Sequence, residues 1–151
     1  MSLRTYLQAA LRDPLGTRGT EAVEFAIVAP VLLLIVLGML QFGLTMDNYL
    51  TLSETVRAGA RQFALSRGDP TPYTDTVNLI KSSAPQLTAS NLTITLSVSG
   101  TPCAADTACT AALTAGAPAS VSVTYPCSLL VMGTNFAPSC VLSAQTTERV
   151  E

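Results

Sequence analysis

The spacing of apolar positions changes along this chain. From Phe25 to Met46 the run FAIVAPVLLLIVLGMLQFGLTM carries no charge over 22 residues. A helix rising about 1.5 Å per residue covers roughly 33 Å over that length, enough for a hydrocarbon core of about 30 Å. Only a helix satisfies its own backbone hydrogen bonds in lipid, and Pro30, early in the run, is tolerated in such a helix. From Asp47 to about Ser66 the apolar positions recur every 3–4 residues. Tyr49, Leu52, Val56, Ala60 and Phe63 form one stripe, and Glu54, Arg57 and Arg61 lie on the other side. The helix is expected to leave the membrane and to lay this stripe on the rest of the chain. Glu54 and Arg57 are an i,i+3 pair, and Arg57 and Arg61 are free for acidic subunit surfaces or lipid phosphates. Gly68 and Pro70 mark the helix end. Arg67-Gly68-Asp69 reads as a turn, although the tripeptide also occurs in integrin ligands.

Beyond that turn, Thr71-Pro72 followed by Tyr73 to Ser83 predicts a short helix, with Val77 and Ile80 apolar and Pro85 behind. Leu92 to Ser99 then alternates strictly, with Leu92, Ile94, Leu96 and Val98 on one face and Thr93, Thr95, Ser97 and Ser99 on the other. Val121, Val123 and Tyr125 repeat the pattern, and Leu129–Met132 and Val141–Val150 are weaker strands. The order of elements predicts an α+β fold: a long N-terminal transmembrane helix, then an antiparallel sheet of three or four strands packed on the helix stripe. Ser99–Ser120, rich in Gly, Ala, Thr and Pro, is expected to be an exposed loop between two strands.

Composition narrows the function. The 151 residues allow one domain and an anchor. Charged residues are 12% and hydrophobic residues 48%, against roughly 25% charged in an ordinary soluble domain. With a mean hydropathy of +0.42, this indicates a membrane or assembled protein. A net charge of −2 without a basic run argues against a nucleic-acid partner. Histidine is absent, which removes imidazole acid–base chemistry, the Ser-His-Asp triad and His-ligated metals. The one lysine, Lys81, sits in no motif. No catalytic residue, metal site, cofactor or small-molecule substrate is expected.

The flanks of the apolar run set its orientation. Arg4, Arg12 and Arg18 precede it, against Asp13; after it comes Asp47, and the next basic residue is Arg57. The positive-inside rule puts the N-terminus in the cytoplasm and residues 47–151 outside. The run is too long for a cleaved secretory signal, whose apolar core spans about 7–15 residues, and Gly43-Leu44-Thr45 is a poor cleavage site. All four cysteines, Cys103, Cys109, Cys127 and Cys140, lie on the exported side. An even number there predicts disulfides. Of three possible connectivities, the sequence-local one is expected, Cys103–Cys109 with Cys127–Cys140. Zinc is disfavoured because no C-x-x-C and no histidine is present.

Glu24 stands at the edge of the apolar run, where a carboxylate costs energy unless it is solvated or paired. A solvated Glu24 would also suit the N-terminal end of a helix. The stretch Arg18-Gly19-Thr20-Glu21-Ala22-Val23-Glu24-Phe25 resembles a type IV prepilin cleavage site, a basic leader ending in Gly with glutamate fifth in the mature chain. Counted from Thr20, Glu24 is fifth. The wider pattern, GTEAVEFAIVAPVLLLIVLGMLQFG with Arg57-Ala58-Gly59-Ala60-Arg61, resembles the TadE-like proteins of the tight-adherence (Flp, type IVc) pilus machinery.

The resemblance implies a pilin-like minor pilin or pseudopilin with no enzymatic activity, needed for pilus assembly and surface adherence. It implies three regions: a leader over 1–19, a long helix over 20–66 with its transmembrane part at 25–46, and a periplasmic or extracellular α+β domain over 67–151. Its processing site is Gly19 and Thr20; Glu24 and Phe25 serve subunit assembly. Its expected partners are a prepilin peptidase, other pilin subunits, the inner membrane and the assembly platform there. The alternative is an uncleaved single-pass anchor whose periplasmic domain scaffolds the machinery.

Overall fold

A computed structural model describes residues 15–131 and 133–151. Most of the expected leader, including Arg4 and Arg12, lies outside the described residues. The chain divides into two compact units, Met1–Leu40 and Gln41–Glu151. Helix α1 (Leu15–Leu65) is continuous through Pro30. In the first unit the described residues are all helical, and every large apolar side chain from Val23 to Leu40 is exposed. Phe25 reaches 73% exposure and Ile27 67%. A cylinder that is apolar on all sides needs lipid or other protein around it.

In the second unit the rest of α1 becomes one-sided. Leu52, Val56, Ala60 and Phe63 are each fully buried, while Glu54, Arg57 and Arg61 face outward. Tyr49, expected in the stripe, is 38% exposed, so the buried face begins at Leu52. Gly68, with φ +84°, sits in the turn closed by Asp69 N–H donating to Ser66 O. That backbone conformation is the one glycine adopts without strain.

Helix α2 (Pro72–Ser83) begins with proline in its first turn, where the missing N–H is not needed. It buries Pro72, Thr76 and Ile80. The buried Thr76 hydroxyl donates to Pro72 O at 2.7 Å, so it is satisfied within its own helix. α2 approaches α1 at Gly59, where a Cβ would lie 2.7 Å from Ile80 Cγ1 and 2.8 Å from Ile80 Cδ1.

The sheet contains β1 (Thr93–Val98), β2 (Thr101–Cys103), β3 (Pro118–Pro126) and β6 (Val141–Arg149) in the order β2-β1-β3-β6, all antiparallel. Leu96, Val98, Val121 and Val123 point into one core with the α1 stripe, as the alternation in β1 and β3 predicts. The chain is α+β as expected.

The segment Ser99–Ser120 departs from expectation. Ser99 (φ 51°) and Gly100 (φ 81°) make a tight turn into β2, and helix α3 (Asp106–Ala112) follows. Cys103, Cys109, Leu113 and Ala119 are buried, so this stretch extends the core. Within the weak strand expected at Leu129–Met132 the structure has β4 (Leu130–Val131), paired with β5 (Thr134–Asn135) in a separate two-stranded ladder, and Met132 lies outside the described residues.

Candidate processing and assembly face

Gly19, Thr20, Glu24 and Phe25 all lie on the exposed first part of α1. A Cβ on Gly19 would meet nothing within 4 Å. Glycine inside a helix costs about 1 kcal/mol relative to alanine, and packing within this chain does not account for it here. Thr20 and Glu24 are four residues apart, so they share one helix face. They line a shallow surface groove with Val23 and Ile27. The Gly19–Thr20 bond lies inside the helix, which begins at Leu15. If that bond were cut, the new ammonium on Thr20 and the carboxylate of Glu24 would give this face both charges of an ion pair.

The four cysteines lie in the second unit. The structure joins Cys103 to Cys109 with a Cα–Cα distance of 5.3 Å. It joins Cys127 to Cys140 with a Cα–Cα distance of 5.1 Å. The first bridge ties β2 to α3 within the core. The second closes the base of the β4–β5 hairpin, where Cys127 N–H also donates to Cys140 O at 3.0 Å. No free cysteine is found among the described residues. Nor is any group of three or more His, Cys, Asp or Glu placed there to hold a metal ion.

Two polar features of the second unit were not legible as sites. Arg57 and Arg61 share a groove of about 430 Å³ with Glu54, Ala58 and Glu148. The sequence left these arginines open to acidic contacts, and Glu148 joins them only through the register of β6. The other feature is Asp106, at the start of α3. Thr74 N–H donates to its Oδ1 at 2.9 Å and the Thr74 hydroxyl to its Oδ2 at 2.6 Å. These bonds, the hydroxyl's first, hold the Asp106 carboxyl below its ordinary pKa. They tie α3 to α2 across 32 residues, and no sequence pattern marks such a pair.

Among the described residues, one helix is long and apolar enough to cross a membrane. Residues 19–61 match the family model described as TadE-like protein. The match begins at the expected processing glycine, ends at Arg61, and covers less than half of the chain. No curated protein and no solved structure matches the chain.

Proposed function

We propose that this chain, whose residues 19–61 match the TadE-like family model, is a minor pilin or pseudopilin of a tight-adherence pilus. A prepilin peptidase removes residues 1–19 on the cytoplasmic side, and the apolar helix stays with the mature protein. The observation that carries this reading is the exposed face that sets Thr20 one turn from Glu24 at the mouth of an uncharged helix. Between two aligned copies, the Thr20 ammonium of one pairs with the Glu24 carboxylate of the other. Each charge is then compensated where an unpaired one is costly. Phe25 and the apolar run fill the remaining contact between helices. The protein performs no chemistry and is the substrate of a single cleavage. It sits in the inner membrane with its C-terminal domain in the periplasm, and assembly carries it into an appendage used in adherence.

The rival reading is an uncleaved anchor with a scaffolding domain. The observation in its favour is that α1 runs unbroken through the Gly19–Thr20 bond, which must unwind to enter a protease. Two variants separate the readings. Gly19→Ala should leave the full-length form in the membrane if the chain is a peptidase substrate, and should change nothing if it is an anchor. Glu24→Gln should leave insertion and processing intact and reduce incorporation into pili. Normal incorporation of Glu24→Gln would remove the proposed ion pair.

A further inference from the structure

We propose that the disulfide-closed hairpin between Cys127 and Cys140 rests on the periplasmic surface of the bilayer, giving the chain a second membrane contact beside its helix. The inference rests on the membrane-spanning reading of residues 25–46 and is independent of processing after Gly19.

Three observations converge. The first is exposure. Beyond helix α1, the exposed large apolar side chains among the described residues are Leu130 at 48%, Phe136 at 69% and Val141 at 60%. All three belong to the hairpin or the strand it opens into. The hairpin cannot readily collapse to hide them. The disulfide and the Cys127–Cys140 backbone bond close its base, and Phe136 N–H donates to Leu129 O at 2.9 Å.

The second is charge. From Thr107 to Thr147 the sequence contains no charged residue, so the hairpin, all of β3 and β6 as far as Thr147 carry no charge to resist the lipid boundary; Glu148 and Arg149 lie at the far end of β6. An aromatic ring and aliphatic side chains are the groups that settle there.

The third is position along α1. Glu151 N–H donates to Ala64 O, and Pro118 pairs with Arg149 at the same end of the sheet. From that end β3 runs eight residues to Pro126, which pairs with Val141. At about 3.3 Å per residue that is roughly 26 Å. The core that begins beside Ala64 continues to Leu52 and takes in Ile94, Tyr125 and Leu142 from the other end of the strands. Gln86 Nε2, in the segment leading to β1, donates to Thr51 Oγ1. In the proposed arrangement the strands run back along α1 toward Thr51. Strands lying along the helix axis would cover in roughly 26 Å about 17 residues of α1, from Ala64 back to Asp47, next to the end of the uncharged run. The hairpin hangs from that end of the sheet. Continuity with the membrane-spanning run favours lipid over a protein partner.

Tryptophan is absent from the chain, so a single introduced tryptophan reports its own surroundings. The full chain is reconstituted in phosphatidylcholine–phosphatidylglycerol vesicles, with and without lipids brominated near the headgroup. Three variants are read: Phe136→Trp; Ala115→Trp, exposed at the opposite end of the sheet; and Phe42→Trp in the run itself. The expected result is blue-shifted Phe136→Trp emission that falls as the brominated fraction rises, with Ala115→Trp unaffected. Quenching of Phe42→Trp alone, with Phe136→Trp matching Ala115→Trp, overturns the proposal. So does a blue shift at Phe136→Trp that ignores brominated lipid and fades on dilution into more lipid, because a second copy then covers the hairpin. Failure of Phe42→Trp to be quenched would instead overturn the membrane span on which the proposal stands. Far-ultraviolet circular dichroism checks that each variant keeps the fold.

Discussion

At the scale of single residues, Gly59 is tightly constrained, because a Cβ there would lie within 2.8 Å of Ile80. It looks interchangeable with its neighbours Ala58 and Ala60, yet Ile80 stands where its Cβ would be. Gly59→Ala gains about 1 kcal/mol of helix propensity and forces Ile80 aside, and overpacking of this kind costs about 1–3 kcal/mol. A net loss of stability is expected in denaturant titration of the micelle-solubilised protein. Adding Ile80→Ala should make the combined loss smaller than the sum of the two single losses, as contacting residues do. Asp106 gives a pH signature. Its folded pKa lies below the ordinary value, so its contribution is present above the unfolded pKa and is lost as pH falls through the folded one. The thermal midpoint of the wild type should drop in acid below about pH 4. In Asp106→Asn the difference from wild type should narrow over the same range.

At the scale of elements, legibility followed periodicity. β1 and β3 alternate strictly, and both form where the pattern puts them. The α1 stripe held from Leu52 to Phe63, and Tyr49 dropped out because the core stops short of it. The stretch containing β2 and α3 gave no such signal. Its residues are small and, Asp106 apart, uncharged, and what fixes them has no sequence period: the Cys103–Cys109 bridge, the Ser99–Gly100 turn and the Thr74–Asp106 bonds. The same is true of Thr76, a polar residue at a core position whose hydroxyl bonds within its own helix. Phe63→Ala, at a fully buried site, should lose about 3–5 kcal/mol in denaturant titration. Replacing Cys127 and Cys140 together by serine opens a loop of sequence separation 13 and should lose about 3 kcal/mol by the chain-entropy relation. The core strands should keep their amide-exchange protection, because that bridge closes the outlying hairpin and not the core.

At the scale of the whole molecule, the account depends on the apolar helix being retained while the residues before Thr20 are lost. The face that would receive the cut was legible: Gly19, Thr20 and Glu24 stand out against an uncharged run, and the family match spans them. The sheet domain that follows was legible as a fold but not as a functional surface, because its exposed face is uncharged from Thr107 to Thr147 and no sequence motif marks a partner. Membrane extraction should follow the helix: the protein should stay in the pellet after alkaline carbonate and leave it only with detergent. The most direct measurement is the N-terminal sequence and intact mass of the chain taken from pili of wild-type cells. The account predicts a mature form starting Thr20-Glu21-Ala22-Val23-Glu24, with the whole helix present. A chain from the same pili that still begins at Met1 would contradict it.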